Sequence, residues 1–172
     1  DVGRAFPLLL GAAHTDGLEP DVWASLDDRN HEQALPHGCV DGVLLMELIG
    51  DAAGDVAPRL SDVAFSAKQA LQDHSVLMGY VVRMLCAGLV HGDLSEFNVL
   101  VGEHGPVIID LPQAVDAAAN NQARSMLLRD VNNLSNYYGQ FAPELIGSRF
   151  AEEIWALYEA GELHPDCTLS GQ

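Results

Sequence analysis

His91-Gly92-Asp93-Leu94-Ser95-Glu96-Phe97-Asn98-Val99-Leu100, followed by Ile108-Ile109-Asp110-Leu111-Pro112-Gln113-Ala114-Val115, is the stretch on which the reading of this chain turns. Asn98 to Val101 and Pro106 to Ile109 are β-rich runs joined by Gly102-Glu103-His104-Gly105, the pattern of a short hairpin. A hairpin of this length returns the chain to its start, so Asn98 and Asp110 are expected near each other, with Asp93 just before them. Hard divalent cations such as Mg²⁺ take carboxylate and amide oxygens together with substrate phosphate, and Asp110 and Asn98 supply that set. Asp93 is then left to orient a nucleophile or accept its proton, a division of labour suited to phosphoryl transfer. Asp-x4-Asn spacing by itself fits ordinary turn-forming roles equally well.

Outward from this stretch the pattern is mostly helical. Ser61 and Asp62 are expected to cap a helical region that places Leu77, Val81, Met84 and Leu85 on one face and stops at Gly88. Asp116 is expected to start a longer helix carrying Leu127, Val131, Leu134 and Tyr138, stopped at Gly139. A further helix is expected from about Ser148 to Ala160, with Gly161 and Pro165 as stop signals. Upstream, Asp41-Gly42 lies between apolar runs and reads as a hairpin ending in a buried strand, Val43 to Leu48, before a polar loop from Gly50 to Pro58. Residues 1 to 36 show no sustained periodicity beyond a short helix after Asp21. The fold class expected is α+β, mainly helical with one hairpin set into the second half.

Composition bounds the function. The 172 residues are 48% hydrophobic and 19% charged, which suits one compact domain with a real core and argues against disorder. Twenty-five carboxylates against eight Lys plus Arg give a net charge of −17, which repels phosphate polyanions, so direct binding to duplex nucleic acid is not expected. Cys39, Cys86 and Cys167 are odd in number and widely spaced, suggesting reduced thiols of a cytoplasmic protein and no paired zinc site. The apolar runs fall far short of the roughly 20 residues of a membrane helix, and no signal or anchor is expected.

Taken whole, HGDLSEFNVL followed by IIDLPQAV resembles the RIO family of atypical serine/threonine protein kinases. The resemblance extends through Leu44-Leu45-Met46-Glu47-Leu48-Ile49-Gly50, Ala57-Pro58-Arg59-Leu60 and Leu128-Arg129-Asp130-Val131-Asn132-Asn133-Leu134, covering about residues 37 to 160. It implies a kinase-like C-lobe over 51–172, hinge strands over 37–50 and a remnant or rearranged N-terminal segment over 1–36. It implies Asp93 as the catalytic aspartate, Asn98 and Asp110 as ligands of Mg²⁺ or Mn²⁺, and ATP as substrate. Asp110 is also implied as a phospho-acceptor, which would make turnover resemble that of an ATPase. Met46 would back the adenine pocket, while the Glu47 carbonyl and Ile49 amide would bond the adenine edge. Ser95 stands where many protein kinases carry lysine. His91 is expected to fix the loop, and Gly92 stands in place of the arginine that links catalytic and activation loops elsewhere. Asp130 has two readings: a surface charge paired with Arg129 or Arg124, or a buried carboxylate accepting catalytic-loop amides. The resemblance points to the second. Implied partners are a protein substrate, the chain itself, or ribosome-maturation factors.

The family pattern is incomplete before Met46. No glycine-rich phosphate loop is recognisable there, and the single lysine, Lys68, follows the hinge. The chain therefore looks like the C-terminal lobe of such a kinase with a truncated or rearranged front end. Mg-ATP is expected to bind it weakly, and an uncovered apolar face would favour self-association. Two other readings stay open. A small-molecule phosphotransferase of the aminoglycoside or choline kinase type shares the H-G-D-x-x-x-x-N loop, although Ser95-Glu96-Phe97 and Leu111 to Val115 favour RIO. A non-catalytic pseudo-kinase scaffold would account for the missing strand lysine.

Overall fold

The computed structural model of the chain describes residues 36–40, 43–46, 48–50 and 55–172. The expected helix after Asp21 and the Asp41-Gly42 turn lie outside the described residues, and so does Glu47. The architecture is α+β, with small antiparallel sheets set among helices. β1 (Pro36–Val40) pairs with β2 (Val43–Met46), Val40 opposite Val43 and Pro36 opposite Met46.

Helix α1 (Ala67–Cys86) begins later than Ser61 and Asp62 suggest. Leu60–Asp62 forms instead a 3-10 turn whose Leu60 carbonyl accepts the Val63 amide at 3.3 Å and the Tyr137 hydroxyl at 2.6 Å. The working cap is Ser66. Its hydroxyl accepts the Gln69 amide at 3.3 Å, and the Gln69 side chain accepts the Ser66 amide at 3.2 Å. This reciprocal pair satisfies two amides that the first turn of a helix leaves without partners. α1 buries Leu77, Val81, Met84 and Leu85 as its apolar stripe predicts, together with Met78 and Val82. Gly88, at φ +80°, turns the chain out of the helix where a side chain would be strained.

β3 (Leu89–Val90) follows directly. The hairpin is β4 (Val99–Gly102) and β5 (Gly105–Ile108), one residue displaced from the expected edges, with Glu103-His104 as its two-residue turn. β6 (Val115–Asp116) then pairs with β3, Leu89 opposite Asp116 and Val90 opposite Val115. Asp116 does not start a helix. Its carboxylate accepts the Ala118 and Ala119 amides at 2.8 and 2.7 Å and closes a turn. Helix α2 (Ala123–Gly139) starts after it, and α3 (Phe150–Ala160) ends on Gly161 at φ +70°. Among the described residues no helix is long and apolar enough to cross a membrane.

The three helices share one core containing Leu77, Leu85, Leu127, Leu134 and Ile154, all fully buried. Each such side chain contributes about 2 kcal/mol by leaving water. The core also holds a histidine. His74 Nε2 lies 2.9 Å from Ser135 Oγ, and its ring packs against Tyr138 and Phe150. Burial lowers the His74 pKa to about 4. The unfolded chain takes up this proton below about pH 6.5, whereas the folded chain resists it until about pH 4. Stability contributed by neutral His74 is therefore lost as pH falls through that window, by up to about 3 kcal/mol. His74→Gln removes the titration. In urea unfolding at pH 7.0 and pH 4.5, its deficit relative to wild type is expected to shrink by about 2 kcal/mol at the lower pH. An unchanged gap would show that His74 does not carry this acid sensitivity.

Candidate active site

β3 and β6 clasp the loop of residues 91–98 at its start and the loop of residues 109–114 at its end, while the β4–β5 hairpin joins the two loops. The Asn98 carbonyl accepts the Ile109 amide at 3.0 Å, and the Ile109 carbonyl lies 3.0 Å from His91 Nε2. His91 is only 3% exposed, and its Nδ1 accepts the Asp93 amide at 3.3 Å. These partners require a neutral ring with the proton on Nε2. Burial lowers its pKa against the opposing pull of the Ile109 carbonyl, Asp110 and Asp93. His91 is thus a brace between the two loops.

Asp130, on α2 and 1% exposed, holds the loop from below. One carboxylate oxygen accepts the Gly92 amide at 2.7 Å and the other the Leu94 amide at 3.2 Å. Arg129 lies beside it, with Nη2 3.8 Å from Asp130 Oδ1, and donates to the Gly92 carbonyl. The second reading of Asp130 holds: it is buried on the loop amides and is not a surface charge, although Arg129 neighbours it. Burial pushes its pKa up to about 6, opposed by the two amides and by Arg129, with Asp93 adding to the rise. Asn133, one turn along α2, donates its amide nitrogen to the Leu94 carbonyl at 3.2 Å. Gly92 takes φ +84°, and a Cβ there would stand 2.8 Å from the Gln113 carbonyl oxygen, so the two loops meet backbone to backbone.

Within this frame Asp93 is exposed. Asn98 Nδ2 donates to the Asp93 carbonyl at 2.8 Å and approaches Asp93 Oδ2 at 3.4 Å, which turns the amide oxygen of Asn98 the other way. Asp110 follows Ile109 and adopts φ 67° and ψ 57°, alone among the described non-glycine residues in having a positive φ. That left-handed turn costs about 1 kcal/mol and swings the chain from β5 into the 3-10 turn Leu111–Gln113. The structure thus joins Asp93 to Asn98 directly and ties Asp110 to Asn98 through the Asn98–Ile109 backbone bond. Among the described residues no group of three or more His, Cys, Asp or Glu side chains is placed to hold a metal ion.

The residues expected at the hinge are placed less completely. Met46 ends β2 opposite Pro36, and Ile49 is half-buried with its carbonyl accepting the Ala57 amide at 2.9 Å. Leu48, Ile49 and Gly50 line a cavity of about 200 Å³ with Tyr80, His104 and Val107, at the hairpin turn; Asp93, Asn98 and Asp110 are not among its lining residues. Sequence reasoning missed the supporting roles of Asn133, of Arg129 toward Gly92, and of Tyr137. The available signal was spacing: Arg129, Asp130 and Asn133 share one stretch of helix surface at i, i+1 and i+4.

A family model described as the RIO domain matches residues 25–150. The chain is 33% identical over 156 residues to the RIO-type serine/threonine-protein kinase Rio1 of Haloferax volcanii, covering 86% of this chain and 52% of that protein. It is 37% identical over 131 residues to the RIO-type serine/threonine-protein kinase Rio1 of Thermoplasma acidophilum, covering 76% and 66%. Against the RIO-type serine/threonine-protein kinase Rio2 of Methanocaldococcus jannaschii it is 35% identical over 96 residues, covering 55% and 35%. The chain spans about half the length of the first of these relatives and at most 66% of the others. With the family match extending over most of its length, and with a braced HGDLSEFN loop beside an IID turn, the chain belongs to the RIO domain family.

Proposed function

We propose that this chain carries the phosphoryl-transfer centre of a RIO-type serine/threonine kinase or ATPase, within a kinase-like C-lobe, using ATP and a divalent cation. The observation that carries the reading is the double anchorage of the loop bearing Asp93 to buried Asp130, which fixes an exposed carboxylate beside an amide ligand. Loss of motion in such a group before substrate arrives is what positioning catalysis requires. The names of the relatives, all serine/threonine-protein kinases, support the same reaction class.

The donor set fits a hard cation. Asn98 has its amide oxygen directed away from Asp93, and Asp110 adds a carboxylate; Mg²⁺ binds through one or two such groups and completes its shell with water and phosphate oxygens. When bound, the cation would neutralise charge on the transferred phosphate. Asp93 would orient the acceptor hydroxyl and take its proton, and His91, locked neutral between Ile109 and Asp93, would hold the loops together without entering the proton transfer. Asp110 would act as ligand and, in the ATPase variant, as transient phosphate acceptor. Met46, Glu47 and Ile49 are proposed as the adenine contacts.

The test is incubation of the chain with γ-labelled ATP, following phosphate release and label on protein with and without chelator. Turnover is expected to require Mg²⁺ or Mn²⁺. Asp110→Asn is expected to raise the metal concentration for half-maximal rate roughly 10- to 100-fold, the equivalent of one charge-assisted contact. Metal-independent turnover would refute the role given to the cation, and no turnover at saturating Mg-ATP would refute catalysis by this chain.

A further inference from the structure

The segment following α3 folds back across the start of that helix. Arg149 precedes α3 and has no side-chain cap; its own amide instead donates to the Gly171 carbonyl at 2.8 Å. Glu153, one turn into the helix, accepts the Ser170 amide at 2.8 and 2.9 Å on its two oxygens, the Ser170 hydroxyl at 3.0 Å and the Gly171 amide at 2.7 Å. Gly171 lies at φ +68°, where a Cβ would stand 2.6 Å from the Phe150 ring, so the backbone passes close against that ring. Leu163, Cys167 and Leu169 pack against the main core. The far side of Phe150 meets His74 at 5.1 Å. One carboxylate thus gathers most of the polar contacts that seat residues 163–172, beside the Arg149–Gly171 and Leu163–Leu157 backbone bonds. Desolvation acts to raise the Glu153 pKa, but the Ser170 and Gly171 donors outweigh it and hold the group below the usual range.

Every one of these bonds presents a donor to a negative charge, and one donor is an exposed serine hydroxyl. We propose that Ser170 is a phosphorylation-controlled latch: modification of its hydroxyl releases residues 163–172 from α3. In the modification, Ser170 Oγ forms a bond to the γ-phosphorus of a nucleoside triphosphate, the bond from that phosphorus to the departing diphosphate breaks, and the hydroxyl proton passes to solvent. The product carries a charge of about −1.5 to −2 and no donor, directly against Glu153. Glu152 adds a further carboxylate in the same first turn. The latch is independent of whether this chain is itself a kinase.

The experiment is site-specific incorporation of phosphoserine at position 170 of the full chain during synthesis, followed by hydrogen exchange read by mass spectrometry. Amides of residues 163–172 are expected to exchange at least tenfold faster than in the unmodified chain. Ser170→Ala, which keeps both backbone donors to Glu153 and the Arg149–Gly171 bond, is expected to stay within about threefold of wild type. Wild-type protection in the phosphoserine chain, as when Arg149 captures the phosphate and holds the segment down, would overturn the latch. So would equal loss in Ser170→Ala, because the hydroxyl bond and not the charge would then be responsible.

Discussion

Replacing Asp93 with Asn is expected to reduce phosphoryl transfer roughly a thousandfold, within the range that a positioned general base contributes. The substitution is a clean one. Asp93 is exposed, its backbone amide is held by His91, and its carbonyl is held by Asn98; the 3.4 Å approach of Asn98 Nδ2 to the carboxylate is one that an asparagine oxygen can keep. Thermal unfolding should therefore stay within about 2 °C, since surface changes of this kind shift stability by no more than ~0.5 kcal/mol. The loss should fall on kcat, with KM for ATP little altered, because the group acts on the acceptor and not on the nucleotide. Steady-state rates with labelled ATP, measured beside a thermal melt, check both halves. Full activity in the Asn variant would remove Asp93 from the chemistry and leave the loop as scaffold only.

Replacing Asp130 with Ala should damage fold and reaction together. The Gly92 and Leu94 amides would be left buried without acceptors, at about 1–3 kcal/mol each, so unfolding free energy should fall by roughly 3–5 kcal/mol. Asp130→Asn is the sharper variant. An amide group offers one oxygen to two donors and turns an NH₂ toward the second, so it should rescue at most part of the loss. The same logic gives a pH dependence. As pH falls through about 6, protonation of Asp130 converts one acceptor into a donor, and activity should decline below that point. Stability moves the other way. A carboxyl whose folded pKa lies above its unfolded value near 3.8 favours the folded chain at low pH, and that contribution is lost as pH rises from about 4 to 6. The opposite slope contributed by His74 overlaps this window, so the wild-type curve should be shallow and the variants should separate the two. Denaturation and rate measurements at pH 5, 6 and 7 would expose the split. In His74→Gln, where the opposing slope is absent, parallel loss of activity and stability with falling pH would contradict it.

Much of this arrangement was legible in the residues. The hairpin announced itself through β-rich runs around Glu103-His104, and the apolar stripes of α1 and α2 named their buried residues correctly. Helix starts were less legible because two kinds of acceptor look alike in sequence. Ser61-Asp62 has the composition of a cap, yet residues after it are extended, and the true signature is Ser66 with Gln69 three positions on. Asp116 likewise caps two amides of an alanine-rich turn without starting a helix. At the site, the motif residues could be named from their order and the family resemblance pointed to Asp130 and His91 as their supports, but Asn133 and the contact of Arg129 with the Gly92 carbonyl could not be read. Asp130 and Asn133 reach loop atoms 36 to 39 residues away, a distance at which no local pattern speaks. Glu47 and the segment before Pro36 lie outside the described residues.

The two-residue pairing of Leu89-Val90 with Val115-Asp116 has a consequence larger than its size. It turns everything from His91 to Ala114 into a closed circuit, stitched shut at its mouth and cross-tied midway by Asn98 and Ile109. Asp93, Asn98 and Asp110 are then all borne by one closed stretch of chain, so opening of its mouth is expected to loosen all three at once, as a shared unit of local unfolding.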